Sequence, residues 1–210
     1  MWIYATFRSR WKKSLSDDCA IEATAFLYKH INEFNLQGED IVDELVCVDV
    51  FDRGVGRATK EECHRKDILH RAFSVFIVHD EKMLLQRRAK GKYHSGGLWT
   101  NACCSHPRAG DALDDAVQRR LYEELGIRCE CEEIASFVYH HKFQDALYEY
   151  EYDHVFIGRY FGEIKPDPEE IMDTKWIDLS ELANSLRSNP DIYTVWFKTA
   201  APMVLKKLQN

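Results

Sequence analysis

Apolar and polar residues repeat along this chain with two different periods, which indicate a mixture of strands and helices. Short apolar runs bounded by turn residues predict strands, and longer segments with an apolar residue every three or four positions predict helices. The predicted strands cover residues 45–51, 72–78, 83–86, 134–140, 148–160 and 175–177. The predicted helices cover residues 17–36, 179–187 and 193–208, together with the segment between Asp111 and Gly126. Strands 72–78 and 83–86 are close enough in sequence to form a hairpin.

The helix between Asp111 and Gly126 has the clearest pattern. Leu113, Val117 and Leu121 fall on one face of it. Asp111 is a residue type that caps helix N-termini, and Gly126 is the type that ends helices in the left-handed conformation. Strands and helices mixed in this order predict an α+β fold or a three-layer sandwich.

Composition narrows the possible functions. The chain has 210 residues, of which 45% are hydrophobic, so a packed core is expected and bulk disorder is not. The formal net charge is −7 with no basic stripe, which argues against nucleic acid as the main partner. No apolar run approaches the roughly 20 residues of a membrane span. The seven cysteines contain no Cys-x-x-Cys pair, which favours free thiols and a cytoplasmic location.

Two short motifs carry chemically active side chains on alternate residues. In an extended segment, residues two apart point to the same side, so Cys104 and His106 share a face, as do Glu149 and Glu151. A thiol, an imidazole and two paired carboxylates indicate a reactive site rather than a binding surface alone.

The helix ends with Arg119-Arg120-Leu-Tyr-Glu123-Glu124-Leu-Gly126. This segment resembles the end of the Nudix box, in which a helix aims carboxylates at a metal-bound diphosphate. Arg120 replaces the first glutamate of that pattern, so the hydrolytic carboxylate set is incomplete. Arg120 and Glu124 are four residues apart and therefore neighbours on the helix, either as a surface ion pair or as a diphosphate and Mg²⁺ site.

Further motifs make the resemblance more specific. They are His64…His70-Arg-Ala-Phe-Ser, Gln86-Arg-Arg-Ala, Leu98-Trp-Thr-Asn-Ala-Cys-Cys-Ser-His-Pro and Tyr148-Glu-Tyr-Glu. Together they are similar to the type I isopentenyl-diphosphate isomerases of the Nudix superfamily over roughly residues 45–205. The resemblance implies a Nudix fold with mixed β-sheets between helices over residues 41–210. Residues 1–40 would form an additional N-terminal segment, predicted to be helical.

The resemblance also implies a catalytic site. One divalent transition metal, Zn²⁺ or Mn²⁺, would be held by three histidines and two glutamates: His64, His70, His106, Glu149 and Glu151. Glu151, with Tyr139 nearby, would give a proton to the alkene, and a Cys104 thiolate of depressed pKa would remove one. Trp196 would stabilise the carbocation-like state between these steps. Cys103 would take no part.

The same resemblance implies residues that bind the diphosphate. They are Lys60, Arg88, Lys92, Ser105 and Arg120, with Arg87 as the alternative to Arg88. Mg²⁺ would accompany the diphosphate, held by Glu124 and the backbone carbonyl of Cys104. We expect ordinary surface or core roles for His30, His79, His94 and His154, and His140 and His141 stay open.

The sequence therefore favours an isomerase acting on a small diphosphate, as a monomer or a homodimer. A Nudix hydrolase that cleaves a phosphoanhydride is the first alternative, and the Arg120 replacement argues against it. A metal-binding module without enzymatic activity is the second alternative, but it leaves Cys104 and the cations without a role.

Overall fold

A computed structural model describes residues 44–143 and 146–209 of the chain. The helix predicted over 17–36, the boundary predicted near residue 40, and His30 lie outside the described residues. None of the helices in these ranges combines the length and apolarity needed to cross a bilayer.

Nine strands of the described chain form one mixed sheet. They are β1 (Glu44–Val48), β2 (Gly54–Thr59), β3 (His70–His79), β4 (Lys82–Arg88), β5 (Trp99–Thr100), β6 (Cys103–Ser105), β7 (Cys131–Lys142), β8 (Tyr148–Arg159) and β9 (Ile171–Asp178). The predicted hairpin is confirmed, because β3 and β4 pair antiparallel.

Strand β3 is the centre of the sheet. It pairs in parallel with β8 along nearly its whole length, from His70 opposite Glu151 to Val78 opposite Arg159. It also pairs antiparallel with β1, β6 and β4 at successive positions. One strand therefore fixes the relative positions of most of the others.

Four α-helices of the described residues pack on the sheet: α1 (Lys60–Lys66), α2 (Leu113–Leu125), α3 (Leu179–Ser188) and α4 (Val195–Leu208). Alternate β3 residues point to opposite faces, as the pleat requires. Phe73 and Val75 belong to a core that includes Leu121 of α2, whereas Phe76 belongs to a core that includes Phe197 of α4. The predicted α+β sandwich, with a mixed sheet between helices, is confirmed.

Two local predictions were wrong. The strand predicted to reach Phe51 ends at Val48, because the Asp49 carboxylate accepts hydrogen bonds from the backbone N–H groups of Phe51 and Arg53 and closes a turn. Asp111 does not cap α2, whose N-cap is Ala112. The Asp111 carboxylate instead accepts a hydrogen bond from Arg119 at 2.8 Å.

We predict that Gly158→Ala destabilises the protein by about 1–3 kcal/mol, because a methyl group there overpacks the core. A Cβ atom at this position would lie 2.8 Å from the sulfur of Cys129 and 2.9 Å from the Cδ1 of Ile77. Urea unfolding with Gly56→Ala as control measures the effect, since a Cβ at Gly56 meets no atom within 4 Å. Equal stability of the two variants would contradict this account of the packing.

Candidate active site

Four side chains from separate elements converge on one point. His64 lies on α1, His70 begins β3, His106 follows β6 and Glu151 lies on β8. One nitrogen or oxygen atom from each lies within 4.8 Å of the others. The parallel register places His70 directly opposite Glu151, and a Thr59–Glu62 capping box fixes the start of the helix that carries His64.

The ring orientations of two histidines suit a metal. Nδ1 of His64 lies 2.7 Å from the carbonyl oxygen of Lys60, and Nδ1 of His70 lies 2.8 Å from that of Ile68. Since a carbonyl only accepts, each Nδ1 carries the hydrogen and each Nε2 keeps a free lone pair. Both Nε2 atoms are buried without a hydrogen-bond partner. Histidines that bind metals typically donate their other ring N–H to a carbonyl or carboxylate in this way. This donor set suits Zn²⁺, Mn²⁺ or Fe²⁺ better than Ca²⁺.

The fifth predicted ligand, Glu149, lies beside this group but is not part of it. Its Oε1 is 2.7 Å from Nε2 of His94, and its Oε2 is 2.9 Å from the Tyr139 hydroxyl. Both carboxylate oxygens of Glu149 therefore have other partners.

The Tyr139 hydroxyl joins two carboxyl groups, since it also lies 2.6 Å from Oε2 of Glu151. It has one hydrogen to donate, so one of the two carboxyl groups has to carry a proton itself. Burial and the charge of Glu151 raise the pKa of Glu149 well above its ordinary value. Burial also tends to raise the pKa of Glu151, but the charge and hydrogen bond of His106 hold this pKa below its ordinary value. The proton accordingly resides on Glu149, and Tyr139 donates to Glu151.

The thiol of Cys104 lies between two polar partners in the same pocket. Nε1 of Trp196 donates to the sulfur at 2.9 Å, and the thiol donates to Oδ1 of Asn101 at 3.0 Å. Burial and the nearby carboxyl of Asp153 raise the pKa of Cys104 to about 12, although Arg88 acts in the opposite direction. The expected depressed pKa is therefore wrong for this site, and the thiol keeps its proton at neutral pH.

Asp153 is a site-adjacent residue that the sequence reasoning missed. Its carboxylate accepts a hydrogen bond from Ser74 at 2.8 Å, and its other oxygen, Oδ1, is buried without a partner. The Ser74 hydroxyl also lies 4.0 Å from the sulfur of Cys104. The signal was present in the sequence, because Asp153 continues the alternation of Glu149 and Glu151 along the same strand.

Two of the predicted diphosphate cations reach the pocket. Lys60 and Arg88 line it together with Ser105. Arg87 points away, since its Nε donates to the carbonyl of Gly97 at 2.8 Å. The structure thus distinguishes between the two adjacent arginines, because neighbouring strand residues face opposite sides.

The other two predicted cations lie outside the pocket lining. Lys92 and Arg120 both contact the carboxylate of Glu170. Arg120 also donates to Oε1 of Glu124 at 2.7 Å, and Glu124 is buried, so this is not a surface ion pair. Gln86 donates to the other oxygen of Glu124 at 3.2 Å.

Of the remaining described histidines, one lies in the pocket and the others lie outside it. His94, which the sequence analysis set aside, is buried in the pocket and bonded to Glu149. The others contact acidic residues away from the cage: His79 with Asp80, His140 with Asp67, and His154 with Asp52 and Glu133. His141 packs edge-on against Phe143.

Comparison with known proteins identifies the family. A family model of the NUDIX domain matches residues 68–197. A protein of Photorhabdus laumondii named isopentenyl-diphosphate Delta-isomerase 2 is 50% identical over 155 residues, 73% of this chain and 88% of that protein. The Aromatoleum aromaticum protein of the same name is 46% identical over 164 residues, 78% of this chain and 87% of that protein.

The chain belongs to the Nudix-domain isopentenyl-diphosphate Delta-isomerase family. A crystal structure from Deinococcus radiodurans shares the fold of this isomerase-family chain, with a TM-score of 0.58 at 18% identity. The match covers 70% of this chain and 90% of that one. At this identity the likeness concerns the fold alone.

We predict that the cage histidines of the chelator-treated protein lower its stability as the pH falls from 6.5 towards 4, an effect that a comparison of wild type with His64→Gln isolates. Burial is the main cause that lowers the pKa of His64, His70 and His106 to about 4. The unfolded chain, with histidine pKa values near 6.5, therefore binds more protons in this window. The free energy of unfolding should fall by roughly 1.4 kcal/mol per pH unit for each histidine.

Urea unfolding at several pH values measures this slope. His64→Gln should reduce it, because that variant removes one of the three titrating groups. Equal slopes for wild type and His64→Gln between pH 6.5 and 4.5 would contradict a buried neutral imidazole at this position. The raised pKa of Glu149 acts in the opposite direction in both proteins, so it cancels from the comparison.

Proposed function

We propose that the chain interconverts isopentenyl diphosphate and dimethylallyl diphosphate, a step of isoprenoid biosynthesis. The observation that carries this proposal is the meeting of the Cys104 thiol and the Tyr139–Glu151 pair in one pocket beside a cluster of histidines. The names of the relatives, which match this chain over nearly their whole length, support it.

The isomerisation adds a proton at one carbon and removes a proton from another. Isopentenyl diphosphate would be protonated at its terminal methylene and deprotonated at the allylic carbon, with a tertiary carbocation-like state between the two steps. That state needs negative electron density without a nucleophile that would trap it. The indole of Trp196 supplies this through cation–π attraction, worth about 2 kcal/mol or more when water is excluded.

Cys104 and the Tyr139–Glu151 pair would be the two proton-transfer groups. In the forward direction Glu151 gives its proton through its contact with Tyr139, and the Cys104 sulfur receives the allylic proton. The described site holds the opposite arrangement, a protonated thiol and an ionised Glu151. That arrangement is the starting state for the reverse reaction. Before forward turnover, one proton therefore has to move from the Cys104 thiol to the Tyr139–Glu151 pair.

The cage of His64, His70, His106 and Glu151 would hold Zn²⁺ or Mn²⁺, with Glu149 as the fifth ligand. A cation bound there would lower the proton affinity of Glu151 and so favour proton donation to a weakly basic alkene. The protein's own contribution is to fix the ring orientations of His64 and His70 through backbone carbonyls.

Lys60, Arg88 and Ser105 would bind the diphosphate at the pocket. Lys92 and Arg120 would join them by leaving Glu170. Glu124 and the Cys104 carbonyl would hold a Mg²⁺ ion, which would neutralise part of the negative charge of the diphosphate. The hydrolase alternative needs several carboxylates on α2, but Arg120 stands where the Nudix pattern has its first glutamate, so that set is incomplete. The six free thiols among the described residues also support a cytoplasmic location.

We predict that Cys104→Ala and Glu151→Gln each lower the isomerase rate by about 10²–10⁴-fold, as expected for the loss of a general acid or base. Incorporation of solvent deuterium into isopentenyl diphosphate, followed by NMR, measures the rate. Cys103→Ala is the matched control, because it makes the same substitution one residue away. Full activity of both variants would refute the assignment, and phosphate release by the wild type would indicate a hydrolase.

We predict that Arg88→Met raises KM by about tenfold to a hundredfold, because it removes a charge-assisted hydrogen bond to the diphosphate. Arg87→Met is the control, since Arg87 faces away from the pocket and its Nε is bonded to Gly97. Steady-state kinetics with isopentenyl diphosphate measures both variants. An equal effect at the two positions would count against a diphosphate site at Arg88.

A further inference from the structure

His94 contacts three parts of the site at once. Its Nε2 lies 2.7 Å from Oε1 of Glu149, and its ring meets the indole of Trp196 edge-on with centroids 5.9 Å apart. Its carbonyl accepts a hydrogen bond of 3.4 Å from Arg88. The ring also stacks on Phe143 with centroids 4.6 Å apart. No other described residue joins a predicted ligand, the predicted cation-stabilising ring and a diphosphate cation in this way.

The hydrogen bond from His94 determines where the carboxylate of Glu149 points. Tyr139 holds the second oxygen of Glu149, so the carboxylate has little rotational freedom left. Nδ1 lies 3.2 Å from the Ser95 hydroxyl, which can donate to it and leave the hydrogen on Nε2. The imidazole is therefore placed to donate from Nε2 to Glu149.

Outer partners of this kind orient the ligands of metal sites. Ligating carboxylates are usually hydrogen-bonded by a second layer of side chains, and removal of such a partner typically weakens metal binding by about 10–100-fold. Glu149 lines the same pocket as His106 and Glu151, and it needs an aligned carboxylate to become the fifth ligand.

We propose that His94 is a positioning residue of the metal cage, which aligns Glu149 for the ion and ties the loop between β4 and β5 to the cage. The inference rests on the proposed function, because it takes the cage to be a metal site. It adds that the loop between Arg88 and Trp99 contributes to metal affinity as well as to diphosphate binding.

The test is the dissociation constant of Mn²⁺ for the chelator-treated full-length protein, measured by titration for wild type and variants. His94→Phe keeps the ring but removes the donor, and should weaken Mn²⁺ binding by about 10–100-fold. His94→Gln places an amide N–H near the Nε2 position and should stay within about threefold of wild type. His79→Phe, at a histidine outside the cage, is the control and should leave the constant unchanged.

A double-mutant cycle with Glu149→Gln distinguishes an effect of His94 that acts through Glu149 from an effect of His94 on the packing of the site. If His94 acts through Glu149, His94→Phe should change the Mn²⁺ constant by less than about threefold in the Glu149→Gln background. The same loss in both backgrounds, or no loss in either, would overturn the inference. Should His94→Phe not fold, as judged by thermal unfolding, His94→Asn answers the same question, because its amide is too short to reach Glu149.

The proposed function is tested separately by the isomerase assay on the same wild-type sample. A wild-type protein that binds Mn²⁺ but lacks isomerase activity would refute the proposed function. The ratios of the Mn²⁺ dissociation constants of wild type and variants would still decide the role of His94. A wild type without affinity for Mn²⁺ overturns the cage and this inference together.

Discussion

The parallel pairing of β3 with β8 is the constraint on which the site depends. Nine successive residue pairs lock the two strands, and the first pair sets His70 opposite Glu151. Strand β3 also pairs with β6, which brings Cys104 opposite Ser74 and leads into His106. Since side chains alternate strictly along a strand, one register decides which residues enter the pocket. The chemistry is thus placed by backbone hydrogen bonds in the middle of the sheet.

The second requirement of the site is the burial of many polar groups together. Isolated buried charges are costly, so proteins pair them or shift their pKa values until they are neutral. Here His64, His70 and His106 are neutral and Glu149 holds a proton, while the ionised Glu151 is stabilised by hydrogen bonds to His106 and Tyr139. The unpartnered atoms that remain among the described residues include the two Nε2 atoms of the cage and Oδ1 of Asp153. The site therefore keeps its unsatisfied bonding capacity where a ligand would use it.

The sequence was sufficient to predict the architecture and much of the pocket. Helix α2 and the β3–β4 hairpin followed from hydrophobic periodicity, and Gly126 ends α2 in the left-handed conformation as predicted. Periodicity could not show that Asp111 pairs with Arg119, because a capping residue and an ion-pair partner have the same chemistry. His94 was missed because it lies in an irregular loop, where spacing does not reveal orientation. The pKa of the Cys104 thiol was misjudged because it depends first on burial and then on the carboxyl of Asp153, and spacing in the sequence shows neither.

The two halves of strand β8 differ in the kind of side chain that they bury. Its first half turns Glu149, Glu151 and Asp153 inward while the tyrosines between them are more exposed, the reverse of the usual amphipathic strand. Such a segment gains little from the hydrophobic effect and has no apolar reason to keep its register. Its second half, with Val155 and Phe156 fully in the core, does have one. The apolar half thus fixes the register of the acidic half. Apolar residues far from the reacting carbon therefore help to determine the positions of the catalytic carboxylates.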